Sequence, residues 1–170
     1  MNKNVMVIDN VMSEEMLHYC YNKLTSMNIW NLQMTSSPES EFNIVGASVY
    51  ERDENFVLSH DMEILTSMIF LMIKEKADFL TTNIERIHIG AKAAYQDDVM
   101  HTDSDNDSWT ILFYSNPVWK PEWGGETIVG DEIIEYKPNR ALIYDAKILH
   151  GGKAPTCPHL RTYVNFVVNK

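Results

Sequence analysis

Residues 109–136 read WTILFYSNPVWKPEWGGETIVGDEIIEY, and the fold is decided by how this stretch is read. It holds three short β-type segments, 109–114, 127–129 and 133–136, with Gly, Pro, Asn and Asp between them. Thr110, Leu112 and Tyr114 share one face of the first segment, because side chains alternate along a strand. The pair Gly124-Gly125 before the second segment marks a tight turn or bulge and lets the chain pass close to a site. Glu126, next to it, reads as a structural residue or one that supports site groups from behind, not as a direct ligand.

Working outward, the same texture runs from Thr82 to the C-terminus, with further strand candidates at 84–89, 141–144 and 163–168. The first half reads differently. A short strand at 5–10 precedes a helix capped by Ser13, with Glu14 and Glu15 in its first turn and Met16, Leu17, Cys20, Leu24 and Met27 at helical spacing. A Ser/Pro-rich loop is expected over 31–42 and a strand over 43–50. A second helix is expected from Ser59 as N-cap to about Phe79. Helices first and many short strands afterwards predict an α+β chain, a double-stranded β-helix (jelly roll) with N-terminal supporting helices. With 170 residues there is material for one core. A single domain over 1–170 is expected, with helical support to about 82 and the jelly-roll core from about 83.

Composition narrows the function classes. Hydrophobic residues make up 45% of the chain, which suits a packed globule. The net charge of −10 repels phosphate backbones, so nucleic acid is not expected as a partner. Cys20 and Cys157 are too few and too far apart for a disulfide framework and fit a reducing, cytoplasmic setting. The first residues carry no signal-peptide pattern, and the apolar run 64–73 is about half of the roughly 20 residues a membrane span needs.

The candidate chemistry sits on a few side chains. His101-Thr102-Asp103 reads His-x-Asp, and in an extended segment its two polar side chains share a face. His150 follows beside Gly151-Gly152. Two imidazoles and one carboxylate are the donor set of a facial triad for non-haem Fe(II), which leaves half of the metal's coordination sphere open. Arg161 lies eleven residues after His150 and shares a strand face with Tyr163 and Asn165. Its guanidinium suits bidentate capture of a dicarboxylate that chelates the metal, with the Tyr114 hydroxyl as a second donor. His18, His60, His88 and His159 lack ligand spacing and read as helix-surface, cap-region or loop residues. The loops 31–42 and 104–107 are expected to rim the mouth, and Glu39, Glu41, Asp105 and Asp107 there hint at a cationic target, although acidity also serves solubility.

These residues, in this order, resemble a known family. His101-Thr102-Asp103, the run Tyr114-Ser115-Asn116 followed by Trp119, Gly124-Gly125-Glu126-Thr127, His150-Gly151 and Arg161 are similar to the 2-oxoglutarate/Fe(II)-dependent dioxygenases, in their prolyl-4-hydroxylase-like branch. The match covers about 84–168, and the helices before it resemble the family's helical support. The resemblance implies iron held by His101, Asp103 and His150, and the distal carboxylate of 2-oxoglutarate held by Arg161. It also implies that Tyr114 assists that arginine and that Tyr95, ahead of the His-x-Asp, is another co-substrate tyrosine. Fe(II), 2-oxoglutarate and O2 would be required, with ascorbate a candidate addition. The implied activity is hydroxylation of a peptidyl or free amino acid, or of a small metabolite, coupled to decarboxylation of 2-oxoglutarate to succinate. Collagen-type prolyl hydroxylases use lysine where Arg161 stands, which distances the chain from them, and the retained Asp103 argues against a halogenase.

Three competing readings stand beside this one. A non-catalytic metal-binding jelly roll (cupin- or lectin-like) would need no Arg161. A zinc protein would use the same three ligands, since Zn²⁺ outranks Fe²⁺ in affinity. A nucleic-acid demethylase shares the iron chemistry and is disfavoured by charge.

Overall fold

The computed structural model describes residues 4–34 and 43–170. β1 (Val5–Asp9) leads into α1 (Glu14–Ser26), which starts as its sequence dictates: Ser13 accepts a hydrogen bond from the Met16 amide, and Glu14 and Glu15 lie in the first turn. β2 (Asn31–Met34) occupies the start of the expected loop, because pairing with β3 (Ile44–Glu51) gives its backbone partners that a loop would leave to solvent. The remainder of that loop, with Glu39 and Glu41, lies outside the described residues. β4 (Phe56–Val57) folds back on β3.

α2 (His60–Lys74) is shorter than expected. Ser59 occupies its N-cap position without a side-chain cap bond. At the other end the chain leaves the helix through tight turns, with Lys76 N–H donating to Ile73 O, Ala77 N–H to Lys74 O and Leu80 N–H to Ala77 O. The turns leave Ala77 and Leu80 buried in the helix-side core.

β5 (Ile84–Lys92), β6 (Ser108–Tyr114), β7 (Thr127–Val129), β8 (Glu132–Ile134), β9 (Arg140–Asp145), β10 (His150–Gly152) and β11 (Arg161–Asn169) complete the chain. A larger sheet runs β1-β9-β6-β11-β5-β3-β2, with β4 beside β3, and a smaller one runs β10-β7-β8. Every pairing is antiparallel. The two sheets face each other across a shared apolar cluster and form the expected jelly roll, with both helices on the outer face of the larger sheet. The first half of the chain thus adds strands to the larger sheet as well as helical support.

Alternation along the strands separates core from site. On β6, Ile111 and Phe113 enter the helix-side core, while Leu112 and Tyr114 face the smaller sheet. On β11, Val164, Phe166 and Val168 go to the helix side, where Phe166 meets Phe70 of α2 at 5.7 Å between ring centroids. Arg161, Tyr163 and Asn165 take the opposite face, inside the roll. Each fully buried Leu, Ile or Phe on the helix side contributes about 1.5–3 kcal/mol. The helix-side core therefore holds a rigid sheet whose inner face is free to carry polar groups.

Candidate functional site

Two histidines are brought together by main chain. His101 and His150 form an antiparallel bridge, each amide donating to the other's carbonyl at 2.9 Å. Each imidazole then folds back on its own strand: His101 Nδ1 lies 2.9 Å from Val99 O, and His150 Nδ1 lies 2.9 Å from Ile148 O. A carbonyl oxygen only accepts, so both Nδ1 atoms carry a proton, and in the neutral rings both Nε2 atoms present a lone pair. This is the ring orientation that metal-binding histidines require.

Asp103 completes the cluster. Its Oδ2 lies 3.4 Å from His150 Nε2 and its Oδ1 lies 3.9 Å from His101 Nε2. The three candidate ligand atoms all lie within 4.8 Å of one another. Neighbouring donors on an octahedral ion with bonds of about 2.1 Å stand about 3 Å apart, so a small side-chain adjustment suffices and the residues fit a metal. The carboxylate is fixed from behind. Oδ1 accepts from Arg86 Nη2 at 3.1 Å, and Oδ2 accepts from Thr110 Oγ1 at 2.7 Å and Asn165 Nδ2 at 3.2 Å. Burial alone would raise the Asp103 pKa; His150, Arg86 and Thr110 overcome it and hold the carboxyl well below the usual range. Burial would likewise lower the His150 pKa, and Asp103 reverses the sign.

Arg161 opens β11 and is 1% exposed. Its Nε donates to Gly125 O at 2.7 Å and its Nη2 to Thr127 Oγ1 at 2.8 Å, both neutral acceptors. Tyr114, Tyr136 and Tyr163 surround the guanidinium, with ring centroids 5.3, 5.2 and 5.4 Å from Cζ. Glycines make the room. A Cβ on Gly125 would lie 3.1 Å from Arg161 Cδ, and one on Gly152 would lie 3.3 Å from Arg161 Nη1. Beside it in the ladder stands Lys92, also 1% exposed and paired with Asp98, whose other oxygen accepts from Gly152 N at 2.9 Å.

The three-donor cluster and the guanidinium open onto one cavity of about 280 Å³. His101, Asp103, His150, Arg161, Tyr163 and Asn165 line it, and so do Thr127 and Tyr144. The two tyrosines expected beside the co-substrate are placed differently from one another. Tyr95 is 80% exposed, in a turn with φ +64 after β5 has ended, and it does not line the cavity. The buried place beside Arg161 belongs to Lys92. Tyr114 does not line the cavity either; it lies under Arg161, and its hydroxyl meets Thr127 Oγ1 at 2.7 Å.

His88 is the other surprise: it sits on β5, not on a helix or loop, and lines the cavity with its ring on Glu51. The 84–89 alternation carried that signal, since Ile87 and Ile89 take the core face and leave His88 on the inner one. The rim is drawn partly by Met34 of β2. Ser104 and Asn106 line a smaller neighbouring hollow instead, and Asp107 pairs with Lys170.

Neither a protein-family model nor a curated protein matches the chain by sequence. Solved structures match it along nearly its whole length. A 2-oxoglutarate/Fe(II) oxygenase-family oxidoreductase from Burkholderia pseudomallei superposes with a TM-score of 0.73 at 12% identity, covering 98% of this chain and 85% of that one. The viral collagen prolyl hydroxylase of Paramecium bursaria Chlorella virus-1, in complex with 2-oxoglutarate, gives 0.66 at 15% identity, covering 98% and 96%. A prolyl-4-hydroxylase from Pseudomonas putida gives 0.66 at 10% identity, covering 99% and 94%. At such identities the likeness establishes the fold: this chain has the jelly roll found in 2-oxoglutarate/Fe(II) oxygenases.

Proposed function

We propose that the chain is a non-haem Fe(II) dioxygenase that couples oxidative decarboxylation of 2-oxoglutarate to hydroxylation of a substrate. One observation carries the reading. A three-donor cluster with both histidines in the metal-binding tautomer and a buried guanidinium bonded to neutral oxygens open onto the same small cavity. A binding module without turnover has no use for that pairing. The fold shared with the viral prolyl hydroxylase, whose structure contains 2-oxoglutarate, supports the same reading.

In this reading His101, Asp103 and His150 hold the iron, and Arg161 holds the distal carboxylate of 2-oxoglutarate. Iron and 2-oxoglutarate, when bound, supply the activation of dioxygen and yield succinate and carbon dioxide. The chain's own work is positional. Val99 O and Ile148 O fix the imidazole tautomers, and Arg86, Thr110 and Asn165 keep Asp103 ionised and oriented. Thr127 and Tyr114 brace the guanidinium, and Tyr163 walls the cavity and limits water.

The substrate class is a peptidyl or free amino acid or a small metabolite, in one domain spanning 1–170. Among the described residues no helix is long and apolar enough to cross a membrane. Cys20 and Cys157 are both free thiols, as a reducing compartment requires, and a cytoplasmic location belongs to the same proposal. The test is anaerobic titration of the metal-free protein with Fe(II) and 2-oxoglutarate, followed by visible absorption. A weak charge-transfer band that is lost in Arg161→Ala and His150→Ala supports the assignment. Bound metal without that band in the wild type would sink it and bring the zinc and binding-module readings forward.

A further inference from the structure

Among the described residues, Tyr144 is the one cavity-lining side chain whose only polar group is both fully buried and without a hydrogen-bond partner. It lies on β9 opposite Thr110, the residue whose hydroxyl holds Asp103, and it is 0% exposed. Its ring meets the His150 imidazole edge-on, with centroids 4.9 Å apart and planes at 61°. Its hydroxyl has no hydrogen-bond partner among the described residues, although it lines the cavity. Two tyrosines in the same apolar cluster provide the contrast. Tyr114 bonds to Thr127 Oγ1, and Tyr136 bonds to Asn116 and to Thr162 O. Arg86 Nε and Asn165 Oδ1 are also unpaired, but both side chains are already anchored to Asp103 through another atom.

A buried hydroxyl left unpaired is costly, and phenylalanine would fill the same space without the cost. The hydroxyl at this position therefore calls for a ligand atom. A phenol keeps its proton at neutral pH, so it acts here as a donor, and its partner must be an acceptor. Tyr144 lines the same cavity as Asp103, His150 and Arg161, so a ligand there can reach all four.

We infer that Tyr144 is a binding residue for the co-substrate, its hydroxyl donating to an acceptor oxygen of a 2-oxo dicarboxylate that spans the metal centre and Arg161. This rests on the proposed function, and it adds a neutral donor to the cationic one. The neutral donor contributes orientation without further charge in a cavity already lined by Arg86 and Arg161.

The test is calorimetric titration of the full chain, loaded with redox-inert Mn(II), with 2-oxoglutarate, comparing wild type with Tyr144→Phe. The expected result is affinity weakened about 10-fold or more, the scale of a lost hydrogen bond to a charged group. Mn(II) affinity should be unchanged, and the unliganded melting temperature unchanged or slightly raised. Equal 2-oxoglutarate affinity in the two proteins would overturn the inference while leaving the proposed function standing. So would a loss that tracks weakened Mn(II) binding, or a lowered unliganded melting temperature, since either would place the hydroxyl's role in the fold. Wild-type protein that binds Mn(II) but not 2-oxoglutarate would overturn the proposed function, and the Tyr144 assignment with it.

Discussion

His101 and His150 are held together by two backbone hydrogen bonds of 2.9 Å, each residue serving the other as donor and acceptor. Their rings, 4.5 Å apart between centroids, are therefore placed by main chain and by the Nδ1 contacts to Val99 O and Ile148 O. Truncating either ring leaves that bridge intact. His150→Ala is expected to fold with a melting temperature within a few degrees of wild type. Its Mn(II) affinity should fall by more than the roughly 10–100-fold that loss of a supporting contact alone costs such sites. Paramagnetic titration measures the affinity, and a folded variant that still binds Mn(II) like wild type would remove His150 from the ligand set.

Asp103 behaves differently, because its carboxylate also terminates bonds from Arg86, Thr110 and Asn165. Asp103→Ala is expected to lose metal binding and, in addition, about 3 kcal/mol of metal-free stability, since it strands the partly buried Arg86 without its anion. Urea denaturation with chelator present reads the second effect separately from the first. An Asp103→Ala protein as stable as wild type would mean that the surrounding donors find other partners.

Arg161 grips Gly125 O and Thr127 Oγ1 through a planar fork that lysine cannot reproduce. Arg161→Lys should keep the charge yet bind 2-oxoglutarate at least about 10-fold more weakly, as loss of a charged hydrogen bond costs. Arg161→Ala should show no measurable binding. Both should retain Mn(II) affinity, because none of the three candidate ligands touches the guanidinium. Equilibrium dialysis with labelled 2-oxoglutarate decides it, and undiminished binding by Arg161→Ala would dismiss the anion grip.

Much of this site was legible before the structure, and the reason is local geometry. His101 and Asp103 share a face because they stand two apart in extended chain, and the same period puts Arg161, Tyr163 and Asn165 inside the roll. What stayed hidden depends on register between distant strands. Tyr144 reaches the cluster because it pairs with Thr110, and Lys92 reaches Arg161 because β5 and β11 align there. Nothing within either segment states those pairings. Tyr95 misled for the converse reason: its place in chain order suggested a role, but the strand that would have carried it inward ends at Lys92. The helix expected to reach Phe79 ends at Lys74, and the successive tight turns that replace it leave no mark in the apolar spacing, since Ile73, Ala77 and Leu80 keep helical periodicity.

Gly90 is a position where one methyl group reports on the site. A Cβ there would lie 2.3 Å from Tyr163 Cζ and 2.4 Å from its hydroxyl, so the tyrosine ring lies directly over the glycine. Gly90→Ala must push that ring aside, into the cavity or towards β3. The expected cost is about 1–3 kcal/mol of stability, typical of overpacking, with weaker 2-oxoglutarate binding and unchanged Mn(II) affinity. The double variant Gly90→Ala/Tyr163→Ala should recover most of the stability lost in the single one, relative to Tyr163→Ala. Additive effects of the two changes would show that the ring does not occupy this place.

The edge of the larger sheet carries a pH-dependent clamp. Asp9 on β1 faces Arg140 on β9, accepting from Nε at 2.6 Å and from Nη2 at 3.1 Å, with Lys137 at 3.0 Å. The Arg140 bonds, helped by Lys137 and opposed by burial, lower the Asp9 pKa from 3.8 to about 2. A carboxyl whose pKa is depressed by folding adds stability above its unfolded value, and loses it as pH falls through the folded one. The contribution should thus be complete above about pH 5 and gone near pH 1–2. Solvent screening at this partly exposed pair reduces it to about 1 kcal/mol. Asp9→Asn is expected to be less stable than wild type by that amount at pH 7, with the gap closing between pH 4 and pH 2. Guanidinium chloride would mask an ion pair, so urea denaturation across that range is the measurement. A gap that persists undiminished at pH 2 would assign the loss to packing of β1 on β9 and not to the charge on Asp9.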